Sequence, residues 1–144
     1  MRLLLDTHIA VWALLGSPRL SAKATQLIAE PANAIFVSAV SVLEIAIKQA
    51  LGKPSGFPFS GQAAIGHFTK AGYHLLNVTA EHAAGVETLP KLHGDPIDRL
   101  LVAQAKSEPM YLITADRHLF GYGSTIIPCW PNSPFVRITL CRRP

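Results

Sequence analysis

Cysteine is nearly absent from this chain: two occur, Cys129 and Cys141, both near the C-terminus. Two cysteines build neither a disulfide framework nor a zinc-ligand set, and the scarcity fits a reducing cytoplasm, the compartment expected here. Long apolar runs are missing too. The longest, Ile9 to Leu15, falls far short of the roughly 20 residues that span a bilayer, so no membrane helix is expected. Arg2 and the leucines after it imitate an export signal, but Asp6 and His8 interrupt the apolar stretch and no export is expected. Acids are scarce, with nine against thirteen Lys and Arg and a net charge of +4. Arg137, Arg142 and Arg143 lie in a C-terminal stretch without acids, and the remaining cations nearly balance the acids. Global charge is therefore weak evidence for a polyanionic partner.

Several signatures are also lacking. No GxGxxG, GxxxxGK[ST] or GxSxG occurs, which removes the strongest dinucleotide, NTPase and hydrolase signals. The histidines at 8, 67, 74, 82, 93 and 118 show no HExxH or Cys/His ligand spacing, so each is read as a surface or half-buried ring. Trp12 and Trp130 are read as packing residues, because neither sits among interleaved cations and aromatics.

What is present is apolar material for one core: 144 residues with 49% hydrophobic and 15% charged side chains. Five short apolar runs, Arg2 to Leu5, Ala34 to Val37, His74 to Val78, Met110 to Ile113 and Ser124 to Ile127, read as buried strands. Their spacing leaves room for crossover helices, so the fold class is α/β with a parallel sheet. Helices are expected at Thr7 to Leu15, Ser21 to Glu30, Ser41 to Leu51, Gln62 to Ala71 and Ala80 to Leu89. The third opens on Ser41-Val42-Leu43-Glu44, a capping-box pattern, and ends at Gly52. A last long helix begins at Asp95-Pro96, with Asp95 as N-cap and Pro96 in the first helical position.

With so few acids, their positions are informative. Asp6 ends the first run, Asp116 follows the fourth, and Glu44 and Asp98 fall in first helical turns. In an open parallel sheet, strand ends and the helix starts that follow converge where ligands bind. Four carboxylates gathered there would repel one another unless a divalent cation neutralised them, and a hard, oxygen-seeking ion such as magnesium or manganese leads to phosphate chemistry. Taken singly, Glu44, Asp98 and Asp116 each have an ordinary use in a cap or turn. Asp6 is harder to explain that way, because a charge directly after Leu3-Leu4-Leu5 is costly unless paired or metal-bound.

Leu3-Leu4-Leu5-Asp6-Thr7-His8, Ser41-Val42-Leu43-Glu44-Ile45-Ala46-Ile47-Lys48, the stretch from His93-Gly94-Asp95-Pro96-Ile97-Asp98 to Ala105, and Thr114-Ala115-Asp116 together resemble the PIN-domain family, most closely its VapC-type toxins. The likeness runs from residue 1 to about Tyr122 in the family's order. It implies a five-stranded parallel sheet flanked by helices, and an Mg2+-dependent endoribonuclease in which Mn2+ may substitute. It further implies inhibition by a VapB-type antitoxin, a homodimer, and operator DNA reached only through the antitoxin. Asp6, Glu44, Asp98 and Asp116 match the family's acidic site one by one, as metal ligands and catalytic residues, and Thr7 and Thr114 match neighbouring polar positions expected to meet substrate. Leu43 and Ile97 stand where relatives often carry Trp and Phe. Residues 1–130 are expected to form the domain and 131–144 a loosely attached basic tail.

Arg99, Lys48 and Arg117, beside the acids in sequence, are candidates for holding flanking RNA phosphates. Two rivals remain from the residues alone. One is a non-catalytic nucleic-acid-binding module using the basic tail; the other is a metal-dependent phosphatase, weakened because Asp6-Thr7-His8 lacks a second Asp two residues on.

Overall fold

The computed structural model describes residues 1–52 and 57–129. The expected basic tail and part of the proline- and glycine-rich loop after Gly52 lie outside the described residues. Five strands, β1 (Arg2–Leu5), β2 (Ala34–Ser38), β3 (His74–Leu76), β4 (Tyr111–Thr114) and β5 (Ile126–Pro128), form one parallel sheet in the order β3-β2-β1-β4-β5. Between them run α1 (Thr7–Leu15), α2 (Ala22–Ala29), α3 (Ala39–Ala50), α4 (Gly61–Lys70), α5 (Ala80–Gly85) and α6 (Pro96–Ser107). Two 3-10 segments, Val86–Thr88 and Arg117–Tyr122, complete the described chain.

The uninterrupted apolar strands follow from burial on both faces of the sheet. Leu3 and Leu5 enter a core with Ile9, Ile45 and Phe68, while Leu4 between them enters a second core with Leu101, Val102 and Leu119. Each such fully buried side chain contributes about 1.5–3 kcal/mol. The expectation of a buried strand fails at β3, which sits at the sheet edge with His74 and Leu75 exposed. The helix expected over Ala80 to Leu89 is α5 followed by the tighter Val86–Thr88 segment.

A larger correction concerns α3. It starts at Ala39, capped by the Ser38 hydroxyl, which accepts from the Val40 amide at 3.1 Å. Ser41 lies inside the helix, so Ser41-Val42-Leu43-Glu44 is no capping box and Glu44 falls beyond the first turn. Its carboxylate is not used up at a helix end. The other end agrees with the sequence, since Gly52 takes the left-handed conformation, φ +64°, just past the helix.

The strand order reverses at β1. From there the chain moves outward through β2 to β3, then returns to place β4 on the other side of β1. Pairing of Leu5 with Ile113 aligns the ends of β1 and β4, and the crevice beyond such a pair is where open α/β sheets bind ligands.

Candidate active site

Asp6 leaves the end of β1 at that crevice, its amide donating to the Ile113 carbonyl at 3.0 Å. Its carboxylate is buried, and each oxygen has a donor: Oδ1 accepts from the Thr7 amide and Oδ2 from the Thr114 hydroxyl, both at 2.7 Å. Burial raises the Asp6 carboxyl above its usual 3.8 against the lowering effects of Thr114, Thr7 and the nearby His8, and the charge of Glu44 adds to the rise.

Thr7 and Thr114, expected to meet substrate, are fully buried. Thr7 turns its hydroxyl to Ser41 Oγ at 2.9 Å, tying α1 to α3, while Thr114 also accepts from the Asp116 amide at 3.0 Å. Both position acids and neither is open to a polymer. Thr114→Val keeps the shape and removes a hydroxyl bonded to a buried carboxylate. It is expected to cost about 1.5–3 kcal/mol in urea denaturation at neutral pH, and an unchanged midpoint would contradict this role.

Asp98 enters from the start of α6. Asp95 Oδ1 caps that helix, accepting from the Ile97 amide at 2.8 Å and the Asp98 amide at 3.4 Å, with Pro96 at the first position as expected. The Asp98 side chain is thereby free of capping, and its Oδ2 lies 2.8 Å from His93 Nε2. Burial first, then the charge of Asp6, pushes Asp98 up from 3.8 to about 6; Asp95 and Asp116 add to this and the His93 bond opposes it. Asp116 does cap a turn: Oδ1 accepts from the His118 amide at 2.9 Å and faces the His118 ring at 2.9 Å. Its Oδ2 points the other way, 3.6 Å from His93 Nε2. Burial raises Asp116, but His118 and the charge of His93 together outweigh it and hold the group below the usual range.

Glu44 is mostly covered and pairs with Lys48 Nζ at 3.0 Å, one helical turn on. Lys48 also lies over the Phe57 ring, 4.9 Å from its centre, so this candidate phosphate holder is engaged beside Glu44. Arg99 is engaged more fully still. Its guanidinium donates to the carbonyls of Val86 (3.1 Å), Leu89 (3.5 Å), Pro90 (3.0 Å) and His93 (3.3 Å) and to the Tyr122 hydroxyl (3.2 Å). It clamps the segment before α6, so this candidate phosphate holder is engaged within the fold.

Among the described residues, one His/Asp/Glu group has its ligand atoms within 4.8 Å of one another: His93, Asp98 and Asp116. Asp6 and Glu44 lie outside that tight set and are joined to it by charge, Asp6 acting on Asp98 and Glu44 on Asp6. His93 shows no ligand spacing in the sequence; its one signal there is its place five residues before Asp98 in the third motif. Carboxylate oxygens and an imidazole nitrogen, gathered where neighbouring carboxylates raise the Asp98 pKa, form a donor set that fits a divalent cation.

A search of curated proteins finds no match. Solved structures do match. VapBC2 from Rickettsia felis, bound to a promoter DNA fragment, superposes with a TM-score of 0.66 at 18% identity over 90% of this chain and 99% of that one. A toxin–antitoxin complex from Klebsiella pneumoniae gives 0.59 at 19% identity over 86% and 94%, and FitAcB from Neisseria gonorrhoeae gives 0.51 at 17% over 83% and 91%. At these identities the likeness is one of fold. The family model for the PIN domain matches residues 3–122, which contain all four acids and His93; the chain belongs to the PIN-domain family.

Proposed function

We propose that this protein is a metal-dependent endoribonuclease of VapC type, the toxin of a toxin–antitoxin pair. The observation that carries the reading is the convergence of Asp98 and Asp116 within ligand distance of each other at the switch point of the sheet, with Asp98 held near pKa 6 by burial and by the charge of Asp6. Carboxylates so close destabilise the fold unless a cation is drawn in. Asp6, Glu44, Asp98 and Asp116 are the oxygen donors proposed for Mg2+, or Mn2+ in its place. When bound, the ion supplies a water of lowered pKa and neutralises charge on the scissile phosphate.

The chain's own residues do the remaining work. Thr114 and the Thr7 amide keep Asp6 ionisable and aimed into the crevice. Asp95 takes over the capping of α6, so Asp98 is spared for the site. Lys48 balances Glu44 when no cation is present. The binding-module rival, in which the acids serve only as caps, is disfavoured because Glu44 and Asp98 cap nothing.

An antitoxin partner of VapB type is supported by two of the similar structures, VapBC2 bound to promoter DNA and the toxin–antitoxin complex from Klebsiella pneumoniae; operator contact through the antitoxin is the corresponding proposal here. Leu43, Ile47 and Leu51 form an exposed apolar row along α3 and past its end, surface that suits a protein partner or the second copy of a homodimer. No described helix is long and apolar enough to cross a membrane; the site of action proposed is the cytoplasm.

The test is to incubate purified protein with a mixed RNA pool and, separately, with p-nitrophenyl phosphate, in magnesium, manganese or EDTA. RNA fragments only with metal, and no nitrophenol, are expected. Cleavage that survives EDTA, or nitrophenol release without RNA cleavage, would overturn the reading.

A further inference from the structure

We infer that His93 is itself a metal ligand, so that His93, Asp98 and Asp116 form a nitrogen-containing donor set that prefers a first-row transition ion such as manganese to magnesium. The inference rests on the proposed metal site but concerns which ion it takes and through which atoms.

The geometry is already that of a ligand set. His93 Nε2 lies 2.8 Å from Asp98 Oδ2 and 3.6 Å from Asp116 Oδ2. Two ligand atoms each about 2.1 Å from one ion lie about 3.0 Å apart at a right angle and about 3.4 Å apart at a tetrahedral angle, so the observed separations need little adjustment.

The imidazole is also held. Arg99, the residue after Asp98, bonds the carbonyls of Leu89, Pro90 and His93, coupling the loop that carries the histidine to the helix that carries the aspartate. Leu92 packs over Gly121, where a side-chain Cβ would fall 2.8 Å from Leu92 Cδ1, fixing the same loop against the segment that follows Asp116. The His118 ring lies nearly parallel to that of His93, 10° between planes and 5.2 Å between centres. A histidine whose loop is tied down at two points and whose ring lies against a second ring, with a ring nitrogen turned to two carboxylates, is preorganised as a ligand.

Ion preference follows from ligand chemistry. Magnesium keeps oxygen ligands and several waters, whereas an imidazole suits transition ions better. Removing His93 also removes a group that carries positive charge when protonated, which acts alike on any divalent ion. The ratio of manganese to magnesium affinity cancels that common electrostatic effect and isolates the nitrogen.

The full chain is titrated calorimetrically with Mn2+ and with Mg2+, as wild type, His93→Ala and His118→Ala, and pulsed electron paramagnetic resonance is recorded on the Mn2+ complexes. Wild type and His118→Ala should show coupling to a directly bound imidazole nitrogen, and His93→Ala should lose it. Mn2+ affinity should fall at least about tenfold in His93→Ala, the range seen when the support of a metal ligand is lost, and Mg2+ affinity should fall less, so that the Mn2+/Mg2+ ratio drops. Absence of nitrogen coupling in wild type, or a ratio unchanged within about twofold in folded His93→Ala, overturns the assignment. The wild-type spectrum needs no variant to fold. Neither readout uses RNA, so nitrogen coupling in a protein that cleaves nothing would keep the ligand assignment while the ribonuclease reading failed.

Discussion

Asp98→Asn is expected to abolish RNA cleavage and metal-induced stabilisation, yet to melt above wild type in EDTA at pH 7.5. Burial and the charge of Asp6 place the Asp98 pKa at about 6 against 3.8 ordinarily. A carboxyl whose folded pKa is raised binds its proton more tightly in the folded state, so it leaves stability intact below about pH 4 and removes it as pH rises through 6. Above that window the cost reaches its full value, roughly 1–3 kcal/mol once loss of the His93 bond is set against it. Asparagine fills the same space without the charge, so the two proteins should converge at pH 4 and diverge at pH 7.5. Bound metal reverses the order, because the carboxylate then has a cation to hold and the amide does not. Denaturation curves at several pH values, with EDTA and with manganese, check the expectation. An Asn variant that is less stable than wild type without metal at pH 7.5 would show that Asp98 carries no such strain, and one that manganese still stabilises would show that Asp98 is not a required ligand. Asp95→Ala is the contrast, since loss of that cap should cost about 1 kcal/mol at either pH.

Arg99→Ala should be the most damaging single change outside the core, lowering stability by about 2–3 kcal/mol and Tm by roughly 10 °C. One guanidinium serves four carbonyls and the Tyr122 hydroxyl, and its removal strands acceptors in a partly buried segment. Arg99→Lys keeps the charge but not the planar fork, and a single ammonium cannot reach acceptors spread from Val86 to Tyr122. Lysine should therefore rescue little of the stability. A phosphate-binding role would give the opposite pattern: lysine would restore RNA affinity, and neither variant would melt early. Thermal melts of both variants beside wild type distinguish the two.

The sheet was largely legible in the chain because its strands are buried on both faces, which turns each into a short continuous apolar run that needs no partner to be noticed. β3 was the exception. It is an edge strand with His74 and Leu75 open to solvent, whereas β5 at the opposite edge keeps Ile126 and Ile127 buried, and which edge is covered depends on the elements packed against it. The start of α6 was equally readable, since Asp95 and Pro96 act on the backbone within one turn of themselves. At α3 two serines three residues apart were both able to cap. Ser38, the last residue of β2, took the role, and Ser41 was left to bond Thr7.

The sequence by itself determined the α/β class and the family motifs and singled out four acids as candidates, because apolar period and local motif are properties of neighbouring residues. Tertiary structure alone decided what the polar side chains do. Thr114 reaches Asp6 across 108 positions of chain, Arg99 turns back on the loop before its own helix, and His93 meets two carboxylates from different elements. Which partner a hydrogen-bonding group finds depends on packing between distant segments, and a buried polar group must take whichever partner packing brings to it.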